Sequence, residues 1–133
     1  MFKFARQILW CKIIWQIIFF YYTFSDRMNI ILKGRGASKG VVKGKIILVK
    51  SKNEIEKMEN GKVLVIPFAD SSFASAMQKA IGIITDNGGV TCHVSIIARE
   101  LGIPAVVGTN KATKKLKDDM EVVVDGTKGI VYK

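Results

Sequence analysis

The hydrophobic pattern along this chain changes period several times, and each change marks an element. Val94, Ile97, Ala98 and Leu101 recur at i, i+3, i+4 and i+7, which makes one apolar face of an amphipathic helix. Gly102 stands where a left-handed C-terminal cap would sit, and Pro104 prevents continuation. Thr91 is the expected N-cap. Residues 63–66 and 81–85 are unbroken apolar runs, expected as strands buried on both faces. Between them, residues 71–80 should form a helix with Phe73, Ala76, Met77 and Ala80 on one side.

Outside this middle region the pattern is β-rich. Residues 30–32 form a short strand that runs into the glycine-rich stretch 34–40, read as a structural turn. A phosphate loop would need a helix next, whereas residues 41–49 are β-rich, so the P-loop and dinucleotide patterns fail on context. Residues 52–60 are a charged helix or loop, and residues 105–107 a strand. Residues 120–124 and 130–132 flank a turn at 125–129 and make a terminal hairpin. Strands and helices alternate in the middle with β elements at each end, which gives an α/β domain with a mixed sheet.

Residues 1–28 have a different character. Phe2, Phe4, Trp10, Trp15, Phe19, Phe20, Tyr21, Tyr22 and Phe24 crowd here, and only Phe68, Phe73 and Tyr132 carry aromatic rings elsewhere. The apolar run 8–24 is broken by Lys12 and Gln16 and is shorter than the roughly 20 residues a spanning helix prefers. Three readings stand: a membrane anchor, a helix that docks a partner, or an upstream extension with Met28 as the working start. The last is preferred. The domain expected to fold is therefore 29–133, and any membrane association would run through residues 1–27.

Charge changes the picture little. The formal net charge of +10 invites a nucleic-acid reading. Yet the lysines are scattered, and the cluster Lys111, Lys114, Lys115 and Lys117 is followed at once by Asp118, Asp119 and Glu121. No aromatic-interleaved basic motif is present, so a solvated surface is the better account. Cys11 and Cys92 have no metal-ligand spacing, and Asp118, Asp119 and Asp125 offer no carboxylate constellation for Mg²⁺.

The candidate chemistry lies in Asp86-Asn87-Gly88-Gly89-Val90-Thr91-Cys92-His93. His93 is the one histidine of the 133 residues and opens the amphipathic helix. Its imidazole should project from the first turn, where unpaired N–H groups and the helix dipole favour an anion. Gly88 and Gly89 let the backbone approach a bulky ligand. By spacing alone, such a histidine is more often a cap or an ordinary surface residue. Cys92 is a neighbour of the site, since successive helical residues point about 100° apart and make a poor Cys–His pair.

The run GGVTCHVSIIARELGIPAVVG resembles the active-site segment of the swivelling phosphohistidine domain of phosphoenolpyruvate-utilising enzymes. Its closest pattern is that of phosphoenolpyruvate synthase and pyruvate phosphate dikinase. Gly88, Gly89, Thr91, His93, Ala98, Arg99, Glu100, Gly102, Pro104 and Gly108 fall on the fixed positions of that pattern. The resemblance implies a swivelling β/β/α domain whose central helix carries the phosphohistidine at its N-terminus. It also implies that His93 is phosphorylated, with Thr91 and Cys92 beside it and Gly88 and Gly89 cradling phosphate. Arg99 is a further phosphate-contact candidate, although six residues of separation favour a structural ion pair.

By the same resemblance, the chain is a cytoplasmic phosphoryl carrier, inactive alone. It binds no cofactor or metal itself. ATP, phosphoenolpyruvate and Mg²⁺ belong to an ATP-grasp module and a pyruvate-binding TIM-barrel module, expected as separate proteins. The alternative is a non-catalytic regulatory or binding fragment that keeps the fold.

Overall fold

The computed structural model describes residues 14, 16–17, 29–68, 70–89 and 92–133. The expectations for residues 1–28 lie almost wholly outside the described residues, as do those for Thr91. Among the described residues no helix is long and apolar enough to cross a membrane.

The chain runs through β1 (Ile30–Lys33), β2 (Arg35–Ser38), β3 (Val41–Leu48), a 3-10 turn (Lys52–Lys57) and β4 (Lys62–Ile66). A second 3-10 turn (Ser71–Phe73) leads into α1 (Ala74–Lys79) and β5 (Ala80–Thr85). Then come α2 (His93–Leu101), β6 (Ala105–Val107), α3 (Ala112–Lys115), β7 (Glu121–Asp125) and β8 (Ile130–Tyr132). The strands form a mixed sheet in the order β1-β8-β7-β3-β4-β5-β6-β2. Strand β3 joins its two halves, pairing antiparallel with β7 through residues 41–45 and parallel with β4 through Ile46, Ile47 and Leu48. The edge strands β1 and β2 are separated in sequence by Gly34 alone, so the sheet must curl to bring its two edges together.

Burial resolves this curled sheet into three layers. One core lies between the parallel strands and the helices, with Leu64, Ile66 and Ile83 facing Phe73, Ala76, Met77, Val94 and Ala98. A second lies on the opposite face, where Val63, Val65 and Ile84 meet Leu32, Val122, Val124, Val131 and Leu116. Strand β4 feeds both cores by alternation, as a strand covered on each side must. The β/β/α layering and the mixed sheet are those expected from the sequence. Each large side chain fully buried here, Phe73 or Leu64 for example, contributes about 1.5–3 kcal/mol of transfer free energy.

Local differences have physical causes. The stretch read as a turn at 34–40 contains strand β2, paired antiparallel with β6. Its glycines serve close approach, since a Cβ on Gly36 would collide with the Gly126 carbonyl. The expected helix 71–80 begins as a 3-10 turn capped by Asp70, whose carboxylate accepts from the Ser72 N–H, and Ala80 already belongs to β5. In α2 the buried face is Val94, Ser95 and Ala98, while Leu101 is exposed in the last turn, just before Gly102 (φ 71°) turns the chain away. Gly102 is the left-handed cap that the sequence called for.

Candidate functional site

Strands β4, β5 and β6 run parallel, so the loops after them meet at one end of the sheet. Main-chain bonds knit these loops together. Asn87 N–H donates to the Pro67 carbonyl (3.0 Å), and Asn110 N–H donates to the Asp86 carbonyl (2.9 Å). The Thr85 carbonyl accepts both the Thr109 N–H (3.1 Å) and the Thr109 hydroxyl (2.9 Å). The buried Asp86 carboxylate accepts from the Thr113 N–H (3.0 Å) and from the Thr113 hydroxyl. Thr85 Oγ1 reaches forward to the Asn87 carbonyl (2.8 Å). The glycine loop thus leaves β5 from a fixed base.

Gly88 adopts φ 130°, a conformation side chains rarely take, and a Cβ there would lie 3.2 Å from Cys92 Sγ. The loop then enters α2, with His93 as its first residue and its side chain exposed. The N-cap is Cys92 rather than Thr91, one residue later than expected. Cys92 has extended dihedrals (φ −72°, ψ 164°), its carbonyl accepts from the Ile96 N–H (3.2 Å), and its thiol makes no capping bond.

The half-buried Cys92 side chain packs against the helix-layer core, whereas His93 is exposed to solvent. The thiol lies 3.3 Å from Ser95 Oγ. Burial works to raise the thiol pKa, but the Ser95 hydroxyl and the N–H groups of Ser95, Gly89 and Val94 outweigh it, and the net shift is downward.

Gly88, Gly89, Cys92 and His93 are brought together; Arg99 is not with them. It lies about 9 Å further along the helix axis, and its Nε donates to the Ala37 carbonyl of β2 (2.8 Å). The sequence alone assigns no role to the side chains of Ser95, Thr85, Asp86 and Thr113, although Asp86 heads the candidate stretch. Each acts through contacts that appear only once the chain is folded, Ser95 through the Gly89 carbonyl and the others through the assembled strand ends.

Near this end of the sheet an open groove is lined by Lys33, Thr109, Asn110, Lys111 and Lys115 among others, which adds positive charge. Among the described residues no cluster of three or more His, Cys, Asp or Glu side chains is placed to hold a metal. An exposed imidazole on a helix N-terminus, beside a pinned glycine loop, is suited to nucleophilic attack on an anionic electrophile.

Comparison with known proteins assigns the class. The family model described as "PEP-utilising enzyme, mobile domain" matches residues 58–129, and the chain belongs to that family. It is 54% identical over 104 residues to a probable phosphoenolpyruvate synthase of Archaeoglobus fulgidus, covering 78% of this chain and 14% of that protein. With the phosphoenolpyruvate synthase of Pyrococcus furiosus it shares 48% identity over 108 residues, covering 81% of this chain and 13% of the relative. The chain thus spans about one seventh of the curated relatives it matches. A solution structure of Enzyme I superposes with a TM-score of 0.51 at 37% identity, over 58% of this chain and 32% of that one. The aconitase X structure from Thermococcus kodakaraensis (TM-score 0.56, 24% identity, 75% of this chain and 95% of that one) shares the fold.

Proposed function

We propose that this chain is a phosphoryl carrier in which His93 is transiently phosphorylated. The observation that carries the reading is the exposed His93 imidazole in the first turn of α2, directly after a glycine loop held at the carboxyl end of β5. In the accepting step an imidazole nitrogen uses its lone pair to form an N–P bond while the donor's P–O bond breaks. In the delivering step an acceptor oxygen attacks phosphorus, the N–P bond breaks and the imidazole returns neutral. The attacking nitrogen already carries its lone pair, so unlike a hydroxyl it needs no strong base to become a nucleophile.

The helix dipole and the first-turn N–H groups favour the phosphoryl charge. Gly88 and Gly89 keep side chains away from it. Thr91 and Cys92 flank the phosphorylated residue, and Arg99 acts through the fold. The phosphoenolpyruvate synthase relatives support a nucleotide-binding module as donor and a pyruvate- or phosphoenolpyruvate-binding module as acceptor, or the reverse. Both modules lie outside these 133 residues and carry the ATP, phosphoenolpyruvate and Mg²⁺ sites. On this reading the chain belongs to a cytoplasmic phosphotransferase and turns over no substrate by itself.

The test mixes the purified chain with each substrate and then adds the modules of a phosphoenolpyruvate synthase relative. Neither ATP nor phosphoenolpyruvate should be consumed until the modules are present, and label should then pass through the chain to pyruvate. Steady hydrolysis of either substrate by the chain alone would contradict the reading.

A further inference from the structure

Ser95 is fully buried and carries a polar group that the carrier chemistry leaves unused. Its hydroxyl donates to the Gly89 carbonyl at 2.7 Å and so ties α2 back to the glycine loop. The same carbonyl accepts the Cys92 N–H at 3.1 Å. One oxygen of the loop is therefore held by two donors from the start of the helix. With its single proton committed to Gly89, Ser95 Oγ has a lone pair for the Cys92 thiol, 3.3 Å away. The result is a short chain from thiol to hydroxyl to carbonyl, centred on the buried Ser95 hydroxyl.

We propose that Ser95 is a positioning residue that keeps the Gly89 carbonyl turned toward the helix and away from the phosphoryl group. This rests on the carrier reading of His93. A glycine peptide rotates more freely than any other, and Gly88 already sits at φ 130°. If the Gly89 carbonyl turned outward, it would present partial negative charge to an incoming phosphoryl oxygen. The attack would then lose electrostatic stabilisation although His93 itself was unchanged. Ser95 prevents that rotation without touching the substrate.

The experiment compares two reagents at His93, the one histidine of the chain. Phosphoramidate is anionic: the imidazole attacks phosphorus, an N–P bond forms, and the original P–N bond breaks with release of ammonia. Diethyl pyrocarbonate is neutral: the imidazole attacks a carbonyl carbon, and ethyl carbonate leaves. Ser95→Ala should slow phosphorylation on the order of tenfold, the scale of modest misalignment at a reacting centre. It should leave the diethyl pyrocarbonate rate within about twofold of wild type.

Ser95→Cys, nearly isosteric but a weaker donor, should fall between the two and serves if the alanine variant folds poorly. Val131→Ala, in the opposite core layer, should lower thermal stability and change neither rate. Equal phosphoramidate rates for wild type and Ser95→Ala would overturn the inference alone. Equal slowing of both reagents would also overturn it, by showing that Ser95 acts only on stability. If wild type reacts with diethyl pyrocarbonate but takes no phosphoryl group from phosphoramidate, the carrier reading falls, and this inference with it.

Discussion

Arg99 Nε donates to the main-chain carbonyl of Ala37 at 2.8 Å, across 62 residues of sequence, and so fastens α2 to the edge strand β2. Arg99→Ala should therefore lower stability in urea denaturation by about 1.5–3 kcal/mol, the usual range for a hydrogen bond to a charged group. Labelling of His93 should stay within about twofold of wild type, because Arg99 lies about 9 Å along the helix axis from it. Full stability with lost labelling would instead make Arg99 a phosphate contact.

Asp118 ties the end of β3 to the first 3-10 turn. Its carboxylate accepts the Leu48 N–H (2.7 Å) and the Lys57 ammonium (2.7 Å). Burial raises the Asp118 pKa, but the Leu48 N–H and Lys57 outweigh it, so the folded pKa lies below the ordinary carboxylate value. Its contribution is thus present above the unfolded pKa and is lost as pH falls through the folded one. Lys57 has the opposite sign. The hydrogen bond to Asp118 raises its pKa, and that contribution is lost only as pH rises through the raised value. Both side chains are more than a third exposed, so solvent screening keeps the effect small. Thermal melts of wild type and Asp118→Asn should differ near neutral pH and converge in acid, once the pH has fallen through the lowered carboxylate pKa. A difference that persists unchanged into acid would refute the assignment.

Gly88→Ala should be costly on two counts. It places a side chain at φ 130° and a Cβ 3.2 Å from Cys92 Sγ. Strain of this kind costs about 1–3 kcal/mol, and the loop must shift to relieve it. Calorimetry should show a lower melting temperature, and His93 labelling should slow. An alanine variant that melts and labels like wild type would mean the loop conformation is of no consequence.

The legible part of this fold is the part written in local pattern. Residues 63–66 and 81–85 show their two-sided burial as unbroken apolar runs, and Gly102 marks its own cap. His93 stands out as a candidate through its place in a long family motif rather than through its own spacing. The rest depended on partners distant in sequence. Strand β2 looked like a turn because an edge strand packed against Gly126 needs glycine rather than alternating apolar residues. Leu101 fitted the helical stripe but lies in the last turn, where the core no longer covers it. Ser95 sits in a helix face that reads as apolar, and its purpose becomes visible only when Gly89 is placed beside it.

Among the described residues, both core layers are built from positions after Asn29. A chain that begins at Met28 should therefore fold with the same denaturation midpoint as the full 133 residues, and should be more soluble without the aromatic stretch. Fractionation of cells that make the full chain supplies the contrast. Native protein that retains residues 1–27 and stays in the membrane pellet after a salt wash would identify that segment as an anchor.

The most direct test of the carrier reading is the site of phosphorylation. The chain is incubated with labelled ATP or phosphoenolpyruvate and the matching module of a phosphoenolpyruvate synthase relative, and the bound label is followed through acid and base. The account predicts one phosphoryl group per chain, labile in acid, stable in base, mapped to His93 and absent from His93→Ala. Label that survives in His93→Ala, or that resists acid as a phosphoserine or phosphothreonine does, would contradict it.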